Sequence, residues 1–163
     1  MARLAISDYL QNFRFFVTES EPAPADRTGK FLAVAAAFAS ASVPEVTTDI
    51  VEYRDGMSVL TKKQPTWPTF AAVTLTRGVV RGDTEFFNWM DAAVGGGPYR
   101  ADLEIQHFHR VGWFINSPAR LYKLLEAMPS RVKIATDLDA LSGDISIADI
   151  DIEYEGLDLS ESL

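Results

Sequence analysis

The sequence predicts a mainly β fold of the α+β class with one packed α-helix. Three observations carry this. Segments rich in β-branched and aromatic residues, bounded by turn residues, recur along the 163 residues. Residues 84–94 are the clearest helix, combining an apolar stripe at helical spacing with firm start and stop signals. No internal repeat is visible. The length is that of about one domain, so residues 1–163 are expected to form one unit, and 47% hydrophobic residues suffice for a core.

Taken in order, residues 12–18 (NFRFFVT) have strand character, and residues 19–30 (ESEPAPADRTGK) read as an exposed hairpin loop. Residues 31–41 are ambiguous, because alanine favours helix while the neighbours favour strand. Residues 46–53 (VTTDIVEY) form a strand candidate with Val46, Thr48, Ile50 and Glu52 on one face and Thr47, Asp49, Val51 and Tyr53 on the other. Neither face is cleanly apolar. Asp55-Gly56 marks a turn, and residues 57–68, with Pro65 and Pro68, read as loop. Residues 70–76 (FAAVTLT) return to strand.

In the helix, Phe86, Trp89, Met90 and Ala93 lie at i, i+3, i+4 and i+7, Asp83 or Thr84 can cap its first amides, and Gly95-Gly96-Gly97-Pro98 stops it. Residues 99–109 alternate as a strand, with Leu103 and Ile105 opposite Glu104 and Gln106. Residues 118–128 conflict with their surroundings: Ser117-Pro118 starts a helix well, and Leu121, Leu124, Leu125 and Met128 have helical spacing. Residues 144–157 read as a long final strand. Its apolar phase slips from Ile145 and Ile147 to Ile150, Ile152 and Tyr154, as a β-bulge would cause. Asp149, Asp151, Glu153 and Glu155 then share the opposite face, which must meet water or basic groups.

Composition excludes several classes. A net charge of −8 argues against a phosphate-binding surface but suits one that nucleic acid slides past. Without cysteine there is no disulfide and no thiolate metal site. Residues 1–10 lack the basic start and apolar run of a signal peptide, and residues 31–41 are too short to span a bilayer. The chain is expected to be made in the cytoplasm, with no membrane anchoring.

Candidate chemistry is thin. His107 and His109 share a strand face but lack a local third ligand. Asp137, Asp139 and Asp144 imitate a calcium loop, yet Ser142 stands where its glycine belongs and Ala148 where its final carboxylate belongs. The 95–97 glycines follow a helix instead of leading into one, so they are not a phosphate loop. Arg81-Gly82-Asp83 spells a short adhesion motif that a turn before a helix explains equally well. No glycine-flanked nucleophile elbow occurs. No catalytic residue, cofactor or metal is therefore expected.

Several segments, in order, are similar to the tail-tube proteins of contractile phage tails and extracellular contractile injection systems. Asn12-Phe13-Arg14-Phe15 resembles the family's NFRF-like opening. Ile50 to Gly56, with Glu52, Tyr53 and Arg54, resembles its IEYREG-type segment. Val73 to Val79, with Leu75, Arg77 and Gly78, resembles its ITLKRGV-type segment. Glu85, Phe86, Phe87 and Trp89 follow. Residues 137–140 (DLDA), Ile147-Ala148 and Tyr154-Glu155-Gly156-Leu157 are similar to its closing strand, with Tyr154 in place of the family's histidine. Residues 112–121 look like an insertion, with Trp113 upstream of the family's position, and the 19–30 loop is long.

The resemblance implies a tail-tube-like β-barrel or sandwich whose strands complete a ring-wide barrel in a homo-hexamer, with rings stacked around a lumen. It implies a sheath protein, baseplate or tube-initiator proteins, and DNA or a protein effector as cargo, within a virion or an extracellular or cytoplasmic contractile particle. The acidic row is expected at the lumen or a subunit interface, and the 55–68 loop at the neighbouring ring. Alternatives are a tube-initiator or adaptor ring paralogue, a type VI secretion-type tube protein, and a small β-barrel binding module. An enzyme has the least support.

Overall fold

The computed structural model describes residues 12–20, 29–32, 38–108 and 118–161. Alternation of apolar and polar residues organises most of it. The strands are β1 (Phe15–Glu19), β2 (Ser40–Ala41), β3 (Val46–Tyr53), β4 (Lys62–Phe70) and β5 (Val73–Gly78). Helix α1 (Glu85–Gly95) follows, then β6 (Ala101–His107), β7 (Arg120–Lys133), β8 (Ile147–Glu153) and β9 (Gly156–Glu161). All pairings are antiparallel, in a seven-stranded sheet of order β1-β6-β7-β8-β5-β2, with β9 also on β7, and a separate β3–β4 ribbon.

The spine is a ribbon of two long partners. β8 and β9 run along the whole of β7, from Lys133 opposite Asp149 to Arg120 opposite Glu161. β6 pairs the first half of β7, and β5 flanks β8. Val73 and Leu75 of β5, Leu103 and Ile105 of β6, Leu124 of β7, and Ile150 and Ile152 of β8 then meet in one core. Each such side chain contributes about 1.5–3 kcal/mol by leaving water. Helix α1 lies against β7 and buries Phe86 and Trp89 into the same core. The Trp89 indole N–H donates to the Tyr99 carbonyl at 2.6 Å, and its ring stacks on Phe31. Gly96, at φ 74°, ends the helix in the left-handed conformation that glycine adopts freely.

Four expectations need correction. First, the sheet does not close into a barrel: β1 and β2 stand at its two ends. Closure needs strands long enough to pair along a seam, and β2 has only 2 residues. Second, residues 118–128 are not helical but enter β7. Pairing with β6 on one side and β9 on the other outweighs local propensity. The leucines at helical spacing fall on both faces of the strand: Leu124 is buried, whereas Leu121, Leu125 and Met128 are half-buried. A bulge at Glu126 (φ 53°), whose N–H donates to Asp102 Oδ1 at 2.9 Å, resets the phase so that Leu124 and Ala127 both face inward. Pro129 is accommodated because pairing with β6 ends at Ala127.

Third, residues 62–68 are strand, not loop, despite Pro65 and Pro68. In a two-stranded ribbon each strand has one unpaired side, where a missing N–H costs little, and the ladder shifts between Thr48 and Ile50. Fourth, β8 contains no bulge against β5. Ala148, Ile150, Ile152 and Tyr154 share one inward face, and Ile145 and Ile147 are exposed. The register shift lies on β7, between Pro129 and Arg131. Residues 33–37, His109, residues 112–117 and most of the 19–30 loop lie outside the described residues.

Leu75→Ala, at a fully buried position, is expected to cost about 2–5 kcal/mol of unfolding free energy. Leu138→Ala, at an exposed one, should change it by less than about 0.5 kcal/mol. Urea midpoints measure both.

Candidate functional site

The described residues present three features that folding alone leaves unexplained or highly specified. The first is the β3–β4 ribbon. Every residue of it is exposed except the half-buried Phe70. Val46, Ile50, Val51, Tyr53 and Trp67 face solvent along its length. At its tip, Met57, Val59 and Leu60 are 98%, 91% and 78% exposed. An isolated hairpin is marginally stable in water. This one is tied across by Thr66 Oγ1 donating to the Asp49 carbonyl at 2.9 Å and by an exposed Lys63–Glu52 ion pair.

Its root is anchored by Tyr154. The Tyr154 ring packs on Phe70 with centroids 5.3 Å apart, and its hydroxyl points at the Glu45 carbonyl 3.5 Å away. That carbonyl also accepts from the Ala71 N–H at 3.0 Å. Burial pushes the Tyr154 phenol up from its ordinary pKa. Tyr154 thus sits buried at the base of the hairpin.

The second feature is the outward sheet face. Asp149, Asp151 and Glu153 project from β8 away from the core, and Glu155 sits in the break before β9. Basic residues interleave with them. Arg131 and the Thr74 hydroxyl both donate to Asp151, and Lys133 lies opposite Asp149 in register. Arg100 pairs with Glu155. Further along the face, Lys123 lies between Glu104 and Asp158 in register. The hydrogen bond from Arg131 holds the Asp151 carboxyl below the usual carboxylate range, against a smaller opposing effect of burial.

The third feature is a buried cation. The Arg77 side chain, on the inward face of β5, is 3% exposed. It donates to Glu85 Oε2 at 2.7 Å and to Asp83, and its guanidinium lies 4.1 Å from the Phe86 ring centroid. The two acids stand at the start of α1, where the helix dipole also favours negative charge. Asp83, the last residue of the short adhesion motif, is therefore engaged internally.

The residues that carried the resemblance divide into two groups. Leu75, Arg77 and Trp89 are buried. Gly78 ends β5, and a side chain on Gly156 would start 3.3 Å from Leu125. Phe15 opens β1, and the Arg14 carbonyl accepts the Phe108 N–H at 2.9 Å. In contrast, Asn12, Phe13, Glu52, Tyr53, Arg54, Gly56 and Glu155 are exposed. The sequence reading missed the Arg77–Asp83–Glu85 cluster, although an arginine closing a strand before an acidic helix start was a usable signal. It also missed Glu19, buried in β1 and accepting the Phe31 N–H at 2.7 Å, for which the sequence holds no cue.

A family model described as the T4-like virus tail tube protein gp19 matches residues 11–158. No curated protein sequence matches. Among solved structures, a chain of the anti-feeding prophage cap, a tube-terminating cap, superposes with a TM-score of 0.79 at 21% identity over 99% of this chain and 97% of that one. A chain of the PVC sheath–tube complex, an extracellular contractile injection system in its extended state, gives 0.77 at 22% identity over 96% and 95%. Hcp1 from Flavobacterium johnsoniae gives 0.51 at 15% identity over 94% and 97%. These similarities establish a shared fold.

Arg77→Met leaves two carboxylates beside an apolar chain and is expected to lower stability by about 3–5 kcal/mol, with Arg77→Lys losing less; denaturant titration checks the order. The depressed pKa of Asp151 means its stabilising contribution is complete above the unfolded value near pH 4 and lost as pH falls through the folded value. Asp151→Asn should therefore melt below the parent at pH 7, with the gap closing under about pH 4.

Proposed function

The chain belongs to the T4-like virus tail tube protein family, and on that premise we propose that it assembles as hexameric rings stacked into the inner tube of a contractile injection particle. The observation that carries this is the β3–β4 ribbon, whose apolar side chains are exposed along its whole length. Exposed apolar surface of this extent marks an interaction site. A tube subunit's task is mechanical, and no catalytic group is assigned.

The open sheet supports ring formation. Among the described residues its end strands, β1 and β2, each pair with a strand on one side only, and a head-to-tail contact between identical copies closes a ring when the rotation permits. The outward face of β8 supports a lumen role for Asp149, Asp151, Glu153 and Glu155. Acids outnumber bases there, so DNA or acidic protein cargo is repelled from the wall. Arg131 and Lys133 moderate that field, and Arg131 holds the Asp151 carboxylate in place. A sheath protein and baseplate or initiator proteins are the further partners of this reading.

Electron microscopy of the purified chain is expected to show six-fold rings or tubes with a central hole; a strict monomer at high concentration overturns the reading. Asp149→Lys with Glu153→Lys should leave the circular dichroism spectrum intact while altering assembly or cargo release. Removal of residues 56–61 should leave rings but abolish stacking.

A further inference from the structure

The chain exposes a second apolar surface, at the pole opposite the ribbon. β4 joins β5 at Val73, so the ribbon leaves the sheet at that end. At the other end of β5, the Val79 N–H donates to the Ser146 carbonyl at 2.8 Å, and Ile145 Cγ2 lies 3.7 Å from where a Gly78 side chain would begin. This places residues 134–146, the connection between β7 and β8, at the far pole. The segment is shaped by its own polar groups. Leu141 N–H donates to Asp139 Oδ1 at 2.9 Å, and Ser142 Oγ to Asp144 Oδ2 at 2.8 Å. Yet Leu138 and Leu141 are 92% and 96% exposed, and Ile134 and Ile145 are also open to solvent.

Charge distinguishes the two poles. The segment carries Asp137, Asp139 and Asp144, with Lys133 just before it 3.8 Å from Asp137, whereas the ribbon tip carries Arg54 and Lys62 against Asp55, with Lys63 paired to Glu52. Each pole therefore offers apolar side chains rimmed by charge, of opposite sign. At about 3.3 Å per residue the ribbon is some 25 Å long, and it leaves the sheet at the end of β5 away from the acidic segment. With the two surfaces attached at opposite ends of β5, a second copy displaced along the ribbon axis brings them together. Such a contact is heterologous, and repetition extends it into a stack. Charge complementarity of this kind selects orientation and partner.

We infer that the ribbon tip, through Met57, Val59 and Leu60, docks on the acidic apolar segment of a second copy around Leu138 and Leu141. This rests on the tube reading above and names the acceptor of the stacking contact. The chain has no cysteine, so the test is direct. Leu60→Cys and Leu141→Cys proteins, both substituted at exposed sites, are mixed and mildly oxidised. Disulfide-linked dimers should exceed those from Leu60→Cys mixed with Asp158→Cys by about tenfold or more. In parallel, Asp137→Lys with Asp139→Lys should block stacking, and combination with Arg54→Glu and Lys62→Glu should restore it.

Tubes without preferential cross-linking, or loop-reversal proteins that stack as the parent does, overturn this docking and leave the tube reading standing. Absence of rings, tubes and cross-links together overturns both.

Discussion

The antiparallel pairing of β7 with β8 and β9 is the constraint on which the rest of the structure depends. It brings Leu124, Ile150 and Ile152 to one side and Lys123, Asp151 and Asp158 to the other. Since strand side chains alternate, a slip of one residue would expose the core and bury the charges. The bulges at Glu126 and next to Pro129 are tolerated because each resets the phase so that Ala127 and Val132 still pack inward. β6 with β1, and β5 with β2, then extend a register already set.

The helix adds a different kind of specificity. Phe86 and Trp89 would pack against many apolar surfaces, since burial is non-directional. Arg77 is more selective, because a guanidinium fork buried between Asp83 and Glu85 has few alternative partners. Removing a cation from water is costly and returns little net stability, so the cluster serves position more than stability. It holds the end of β5 to the start of α1, beside the acidic β7–β8 connection.

Burial is divided unevenly between parts of the chain. The sheet and helix enclose the large apolar residues Trp89, Leu75 and Ile150 fully. The ribbon encloses almost none, and its fixed points are the Tyr154–Phe70 contact and the backbone bond to Glu45 at its root. In the proposed tube, a surface that binds another copy cannot also bury itself, so apolar residues that would strengthen a monomer are held outside it.

By itself the sequence determined the mainly β class, the helix after Thr84 and most strand positions, because these follow from alternation, helical periodicity and the glycine stop after Val94. Motifs in order also pointed to the tube family, which the family match bears out. Tertiary structure decided what local propensity could not. Residues 120–128 became strand because two neighbours pair with them, and residues 62–70 did so despite two prolines because one side of the ribbon is free. Ala148, a weak hydrophobe in isolation, fixed the inward face of β8 through the pairing of that strand with β5. Which exposed residues lie near one another was likewise decided in three dimensions, since the ribbon and the 134–146 connection attach at opposite ends of β5. Sequence records the preference of each residue for water or interior, whereas the pairing of distant strands decides which of those preferences can be met together.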